Sequence, residues 1–203
     1  MKAAFLLNPN HIEIRNVEKP EPTYGEVRVR INKVGICGSD VHLYLGHRQL
    51  NYPIIIGHEG IGVIDKTGDG VNHRTLGERV VIEPNIPCMK CNFCLSGRGN
   101  ICIKKRVPGV NESGCFAEYI CLPEEFCWHL PVEISDDDAV TIEPMAVAYH
   151  SLFSSHTKVG DTIAIIGLGA IGLLLSHLAL SLGYKVLVTE LKTDKLKMAV
   201  AMG

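Results

Sequence analysis

Residues 162–172 carry the sequence Thr-Ile-Ala-Ile-Ile-Gly-Leu-Gly-Ala-Ile-Gly. A β-branched apolar run, then Gly-x-Gly-x-x-Gly and a further apolar segment, predicts a strand, a tight turn and a helix. In this arrangement the first glycine permits the turn, the second lets a pyrophosphate approach the backbone, and the third lets the helix pack against the strand. The stretch therefore predicts the beginning of a doubly wound α/β unit that binds a dinucleotide.

The residues expected to contact the dinucleotide lie in this turn and at the end of the next strand. The turn residues concerned are Gly167, Gly169, Ala170, Ile171 and Gly172. Glu190 follows the predicted strand Lys185–Thr189, 18 residues beyond the last glycine of the motif. A carboxylate there can accept both ribose hydroxyls and would repel a 2′-phosphate. NAD is therefore favoured over NADP, although Lys192 and Lys195 lie close by.

The unit that begins with this turn has few strands. After the turn the sequence predicts a helix over Ile171–Leu182, one more strand and another helix from about Thr193. Because a doubly wound sheet needs more than two strands, we expect residues 154–203 to form an incomplete nucleotide-binding domain. The uncharged run Thr162–Tyr184 has the length of a membrane span, but its three glycines favour strand, turn and helix.

Residues 1 to about 130 have a different pattern, in which short strands dominate. The alternation from Glu26 to Asn32 predicts a half-buried strand. Further strands are expected at Val63-Ile64, Val80–Ile82 and Tyr119–Leu122. A helix is expected from Asp138 to Phe153, with Ser135 as its cap and Pro144 as a kink or break. The sequence thus predicts a mainly-β domain ahead of the α/β unit.

Four of the eight cysteines have the spacing C-x2-C-x2-C-x7-C. They are Cys88, Cys91, Cys94 and Cys102. Four thiolates on one loop can fill the tetrahedral shell of zinc, and a closed shell leaves no position for substrate, so the site would be structural. An iron–sulfur cluster uses similar ligands, and four incidental buried cysteines are the third interpretation.

A second group of candidate ligands is dispersed along the chain. Cys37 follows a predicted strand, and Gly57-His58-Glu59 follows the apolar run Pro53–Ile56. One cysteine and one histidine alone are weak indications of a metal site. Together with a carboxylate they can form a three-ligand site that leaves zinc one open position, as catalytic zinc requires.

The ordered set Cys-Gly-Ser-Asp-x-His, Gly-His-Glu-Gly, four-cysteine loop and Gly-x-Gly-x-x-Gly resembles the N-terminal part of the zinc-containing medium-chain alcohol and polyol dehydrogenases. The resemblance implies a GroES-like zinc-binding catalytic domain over residues 1–153 and the first part of a Rossmann NAD-binding domain over 154–203. It also implies that Cys37 and His58 bind catalytic zinc. Glu143, before Pro144, resembles the third ligand of the polyol branch, where other members carry cysteine; Glu59 is a competing carboxylate.

The same resemblance suggests roles around the catalytic metal. Zinc in such a site acts as a Lewis acid on a substrate hydroxyl. Ser39 and His42 match positions that relay the proton, and Glu59 is a further candidate for the catalytic machinery. Asp40 is either a second-sphere partner of a zinc-bound imidazole or a turn aspartate. Tyr44 and Phe116 resemble residues that line the substrate pocket, although core packing is the alternative for Phe116.

Composition narrows the classes of function. With 20 basic and 22 acidic residues and no long basic run, the chain does not suit a nucleic-acid partner. The apolar start, Met1–Leu7, is too short for a signal peptide, so we expect a cytoplasmic protein without membrane attachment. The resemblance to the dehydrogenase family, and not composition, implies that the substrate is a polyol, sugar alcohol or sugar acid and that the complete protein forms a homo-oligomer. The alternative is a truncated, non-catalytic, zinc-stabilised binding module.

Overall fold

A computed structural model describes residues 1–203, which divide into two compact units, Met1–Thr141 and Ile142–Gly203. The strands are β1 Lys2–Asn8, β2 His11–Asn16, β3 Glu26–Gly35, β4 Ile54–Ile55, β5 Glu59–Thr67, β6 Arg79–Ile82, β7 Tyr119–Pro123, β8 Cys127–His129, β9 Thr162–Ile166 and β10 Lys185–Thr189. The helices are α1 Gly38–Tyr44, α2 Asn92–Leu95, α3 Asp136–Ala139, α4 Ile142–Ser154, α5 Ala170–Ser181 and α6 Thr193–Ala201.

The first unit is mainly β. A five-stranded antiparallel sheet has the order β7-β3-β5-β6-β8, and a three-stranded antiparallel sheet has the order β2-β1-β4. The four strands predicted from the sequence are confirmed as β3, β5, β6 and β7. The β1–β2 hairpin was not predicted, because all six residues of β2 are exposed and give no apolar alternation.

The core of the larger sheet is formed by alternate residues of its strands. Its buried members are Val27, Val29, Ile64, Val80, Ile82, Ile86, Cys115, Ile120, Leu122 and Cys127. Arg28 points to the other face of β3 and is nevertheless buried. Its guanidinium donates two hydrogen bonds, of 2.9 and 3.1 Å, to the Asp65 carboxylate. The pair satisfies a charge that burial would otherwise penalise.

The region predicted as one helix from Asp138 to Phe153 contains two, α3 and α4. Ser135 caps α3 as expected, since its Oγ accepts the Asp138 N–H at 3.1 Å. Pro144 is the third residue of α4. Because the first N–H groups of a helix have no intrahelical partner, proline is tolerated there. The prediction of a kink at Pro144 was therefore wrong, and the interruption precedes the proline.

The second unit has the predicted strand–helix–strand order. Strands β9 and β10 are parallel neighbours, joined by α5, and α6 follows. Leu152 of α4 is buried in a cluster with Ala179 and Tyr184, so α4 belongs to this compact unit. A domain boundary after residue 153 stays a prediction, since compactness alone divides the chain earlier. No helix combines the length and hydropathy that a membrane span requires.

The glycine turn between β9 and α5 has two different steric requirements. Gly167 has φ +93°, a conformation that favours glycine. At Gly172 a Cβ atom would lie 2.1 Å from the carbonyl oxygen of Gly167. At Gly169 a Cβ would meet no atom within 4 Å. The third glycine therefore allows α5 to approach the turn, while the second borders open space.

Gly172→Ala is expected to destabilise the second unit by about 2–3 kcal/mol, because the added methyl group overlaps a backbone oxygen. Gly169→Ala is the matched control and should cost less than about 1 kcal/mol, the loss of a glycine cap. Amide hydrogen exchange of Thr162–Ile166 measures the opening of this unit separately from the first. Equal protection in the two variants would contradict the steric argument.

Candidate metal centres and nucleotide turn

The four cysteines of the predicted zinc loop come together in the first unit. Their Sγ atoms all lie within 4.8 Å of one another. The closest pairs are 3.4 Å for Cys91 and Cys94, 3.8 Å for Cys91 and Cys102, and 3.9 Å for Cys88 and Cys94. Zinc–sulfur bonds of about 2.3 Å in a tetrahedron imply sulfur–sulfur distances of about 3.8 Å. The group fits a four-thiolate metal.

The loop that carries these thiols, residues 86–106, is closed at its base by backbone pairing. Ile86 and Arg106 exchange two N–H to carbonyl hydrogen bonds, of 3.0 and 2.9 Å. The short helix α2 contains Cys94, and a 3₁₀ turn at Gly99–Ile101 immediately precedes Cys102. We call residues 86–106 the thiol lobe. It has little apolar core of its own, so a bound ion would be its main source of order.

The pKa values within the thiol lobe show which thiols ionise readily. The backbone N–H of Cys94 lowers the pKa of Cys91 to about 6. Burial, with the neighbouring thiols, raises the pKa of Cys94 to about 11. A thiolate at one position thus discourages a second one beside it. A divalent cation at the centre would remove that repulsion, which is a further reason why this donor set suits zinc.

The second predicted group also comes together. Donor atoms of Cys37, His58 and Glu59 lie within 4.8 Å of one another. Cys37 immediately precedes α1, and Glu59 is the first residue of β5. Since β3 and β5 are paired at Gly35 and Glu59, the sheet brings the two ligand segments to the same edge. Thiolate, imidazole and carboxylate are all ligands that zinc accepts.

Asp40 connects the two segments. Its carboxylate is 2% exposed and accepts the Cys37 N–H at 2.9 Å and the Gly57 N–H at 3.2 Å. Its Oδ1 also lies 3.5 Å from His58 Nδ1. That nitrogen is enclosed and has no formed hydrogen bond; the separation is at the upper limit of one. Asp40 therefore serves both as the predicted turn aspartate and as the group facing the imidazole.

Charge around His58 favours a cation. Burial lowers the pKa of His58, but Asp40 and Cys37 outweigh it and raise the pKa to about 10. Nδ1 faces Asp40, while Nε2 lies 3.5 Å from the Ser39 hydroxyl. Nε2 is thus the ring nitrogen available to a metal. The carboxylates of Asp40 and Glu59 beside the imidazole make this pocket favourable for a cation bound at Nε2.

Glu59 has the environment of a carboxylate that needs a cation. It is 8% exposed, and its carboxylate lies within 4.8 Å of the donor atoms of Cys37 and His58. A Cβ at Gly35 would lie 2.2 Å from Glu59 Oε2, so the absence of a side chain at residue 35 makes room for it. A largely buried carboxylate grouped with a thiol and an imidazole is stabilised by a shared cation. This observation supports Glu59 as a ligand.

The segment before His58 is held by the chain at residues 115–116. Cys115 N–H donates to Gly57 O at 2.8 Å, and Phe116 N–H donates to Ile56 O at 2.9 Å. Gly57 has φ +94°, and a Cβ there would lie 2.4 Å from the Phe116 ring. Phe116 thus packs directly against the ligand-bearing segment.

The remaining predicted site residues are placed as follows. Ser39 and His42 lie in α1, three residues apart on one helical face. His42 Nδ1 is 3.0 Å from Nδ1 of His47, a contact that the sequence did not indicate. Glu143 is the second residue of α4, in the second unit. The Tyr44 hydroxyl donates to Asn10 O at 3.1 Å.

The other cysteines differ from the ligand groups. Cys115 and Cys127 are fully buried, and Cys121 is partly buried. Burial raises the pKa of each of these thiols to about 12. They remain protonated at neutral pH and belong to the packing of the sheet.

In the second unit, Glu190 bonds to the glycine turn. Its carboxylate accepts the Leu168 N–H at 2.8 Å, the Leu191 N–H at 2.8 Å and the Lys192 N–H at 3.0 Å. The N–H groups of Lys192 and Leu168 lower the pKa of Glu190. The carboxylate is therefore held as an anion beside the glycine turn.

A GroES-like β unit with two donor groups for metal, followed by a glycine-turn α/β unit, defines the class of zinc-containing medium-chain dehydrogenases. Residues 23–132 match the alcohol dehydrogenase GroES-like domain family. The chain belongs to this family.

The chain is also similar to individual members. Sorbitol dehydrogenase of Bacillus subtilis is 36% identical over 211 aligned positions, which cover 100% of this chain and 59% of the relative. The structure of rspB from Escherichia coli, in complex with NADH, has a TM-score of 0.95 at 37% identity and covers 100% of this chain and 60% of that one. A zinc-binding dehydrogenase from Sinorhizobium meliloti, bound to NADP, has a TM-score of 0.95 at 34% identity, with coverage of 100% and 59%. The chain spans about half of the length of the curated relatives it matches.

Cys88→Ser is expected to reduce zinc from about two ions per chain to about one, because three thiolates no longer close the structural shell. Amides of the thiol lobe should lose protection from exchange in the same variant. Metal analysis by mass spectrometry measures the content. Cys121→Ser is the control and should retain both ions; a loss of zinc in the control would contradict the assignment of ligands.

Asp40→Asn is expected to weaken binding at the Cys37–His58–Glu59 group by about 10–100-fold, as loss of an outer-sphere partner does. The amide cannot accept both N–H groups and face the imidazole with negative charge. Competition with a chelator measures the affinity of each site. Asp69→Asn, at an exposed turn residue, is the control. Unchanged affinity in Asp40→Asn would exclude the positioning role.

Proposed function

We propose that the complete protein is a zinc-dependent dehydrogenase that transfers hydride from a secondary alcohol of a polyol, sugar alcohol or sugar acid to NAD. The observation that carries the proposal is the meeting of Cys37, His58 and Glu59, which are separated by up to 22 residues, in one group of donor atoms. In this proposal the GroES-like catalytic domain comprises residues 1–153 and the NAD-binding domain begins at residue 154.

The metal-binding residues would act in two groups. Cys88, Cys91, Cys94 and Cys102 would hold a structural zinc, since their shell is closed. Cys37 and His58, with Glu59 or Glu143, would hold the catalytic ion in an open-sided site. When bound, that zinc supplies a Lewis acid for the substrate hydroxyl. The largely buried position of Glu59 beside Cys37 and His58 supports it as one carboxylate, and the Glu143-Pro144 sequence supports the other.

The proton of the hydroxyl would leave through residues of α1. Ser39 Oγ lies 3.5 Å from His58 Nε2, so the hydroxyl stands beside the catalytic group and can both accept and donate a proton. His42 lies on the same face of α1 and is exposed to solvent. We assign Ser39 the transfer from substrate and His42 the transfer to water. Asp40 would keep the imidazole of His58 in the correct orientation.

The dinucleotide would bind at the turn of the second unit. Open space beside Gly169 is consistent with the approach of a pyrophosphate, and the N–H groups of Ala170 and Ile171 begin α5. Glu190 would accept the ribose hydroxyls and disfavour a 2′-phosphate. Of the two relatives with bound cofactor, one contains NADH and one NADP, so the preference for NAD rests on this carboxylate.

The substrate class follows from the branch of the family. The Glu143-Pro144 pair and the sorbitol dehydrogenase relative support a small polyhydroxylated substrate. We also propose that the complete protein is a cytoplasmic homo-oligomer. The competing function is a zinc-stabilised binding module without turnover.

Cys37→Ser is expected to lower kcat/KM for the best substrate by at least about 1,000-fold, since several kcal/mol of Lewis-acid stabilisation is lost. The assay is a panel of sugar alcohols and aldonates with NAD and with NADP, using a protein that contains the complete nucleotide domain. Cys121→Ser is the control and should retain activity.

The two functions predict different results. A dehydrogenase reduces NAD with at least one member of the panel and loses this activity in Cys37→Ser. A binding module contains zinc but reduces neither cofactor. The 203-residue chain alone is expected to bind zinc and to oxidise alcohols poorly; brisk reduction of NAD by it would contradict that expectation.

A further inference from the structure

Helix α1 ends in a turn that brings two histidines together. Gly46 has φ +75°, and its N–H donates to Leu43 O at 3.1 Å. The next N–H, that of His47, donates to His42 O at 3.0 Å. These two bonds define a Schellman motif, in which the residue after the glycine folds back over the last turn of the helix. His47 is thereby placed over His42 by the backbone alone.

In most such motifs the two residues brought together are apolar. Here they are imidazoles whose Nδ1 atoms lie 3.0 Å apart, with ring centroids separated by 5.2 Å. Both side chains are exposed, so solutes can reach the facing nitrogens. In the neutral pair one Nδ1–H donates to the other Nδ1 across this distance, and a metal ion that replaces the shared proton would be held by the same two nitrogens.

The spacing matches a shared metal ion. Two nitrogens at about 2.0–2.1 Å from one ion are separated by about 2.9 Å at a right angle and about 3.4 Å at the tetrahedral angle. The observed 3.0 Å lies between these limits. Imidazole nitrogen is a preferred ligand of zinc, nickel and copper. We propose that His42 and His47 form a third metal site, which chelates a divalent first-row transition ion and leaves its remaining positions to water.

The turn is held in place by the β1–β2 connection. Asn10 N–H donates to Tyr44 O at 2.7 Å, and the Tyr44 hydroxyl donates to Asn10 O at 3.1 Å. A Cβ at Gly46 would lie 2.7 Å from the ring of Pro9. The two imidazoles therefore lie on a fixed backbone, and metal binding has less ordering entropy to overcome.

This site differs from the other two in strength. Its ligands are neutral, only two in number and open to water, whereas the other groups contain thiolates and more donors. Arg48, the next residue, is positively charged and lines a separate cavity with Leu50 and Asn51. The ion should therefore exchange readily.

If His42 passes protons as proposed above, an ion on its Nδ1 would block that route. The binding itself does not depend on the proposed function.

Nickel is the probe for this site. The 203-residue chain is loaded with zinc at its two thiolate-containing groups, freed of excess metal and titrated with Ni²⁺ by calorimetry. We expect one further ion per chain, while the zinc content measured by mass spectrometry stays constant. His47→Gln and, separately, His42→Gln should each abolish the further ion.

His129→Gln is the matched control, because His129 is an exposed histidine that pairs with Glu78 rather than with another histidine. It should retain the further ion. Amide spectra establish that each variant keeps the fold. Absence of a third ion in the unmodified chain, or its persistence in both His42→Gln and His47→Gln, would overturn the proposal. Neither result bears on the dehydrogenase activity, which the substrate panel tests separately.

Discussion

The buried carboxylate of Asp40 is the interaction on which the candidate catalytic centre depends. It accepts one backbone N–H from the segment of Cys37 and one from the segment of His58, and it faces the imidazole itself. Hydrogen bonds to a charged group contribute about 1.5–3 kcal/mol each. These bonds also offset the cost of burying the carboxylate. Without them, the segments would be linked only by strand pairing, which does not fix the direction of either side chain.

The sequence predicted this site in outline. Ligand spacing identified the thiol lobe, and motif order identified Cys37 and His58. The glycine motif located β9, α5 and β10, because a β-branched run, Gly-x-Gly-x-x-Gly and a further apolar run follow the order of a strand, a turn and a helix. The dual role of Asp40 was not predictable, since a turn aspartate and a partner of histidine have the same local sequence. Whether Glu59 or Glu143 is the third zinc ligand also depends on tertiary packing, which no sequence pattern shows.

There are also physical reasons why some elements were not predicted from the sequence. The exposed strand β2 forms because β1 offers backbone partners, and its own side chains contribute no pattern. The His42–His47 contact arises because a glycine with positive φ and two backbone hydrogen bonds reverse the chain within five residues. In the sequence, this contact is indicated only by a glycine that follows a helix. Long-range pairing and backbone reversal are thus the features that sequence reasoning underestimates.

The fit between Gly57 and Phe116 has a consequence for how this protein can change over time. A residue with a side chain at 57 would need both an unfavourable backbone angle and the space that the aromatic ring fills. A smaller residue at 116 would free the space but leave the angle. The backbone angle therefore keeps glycine at position 57 whichever residue stands at 116, and loss of the aromatic ring gives position 57 no new freedom. The position of His58, the next residue, depends on the packing of Gly57 against Phe116.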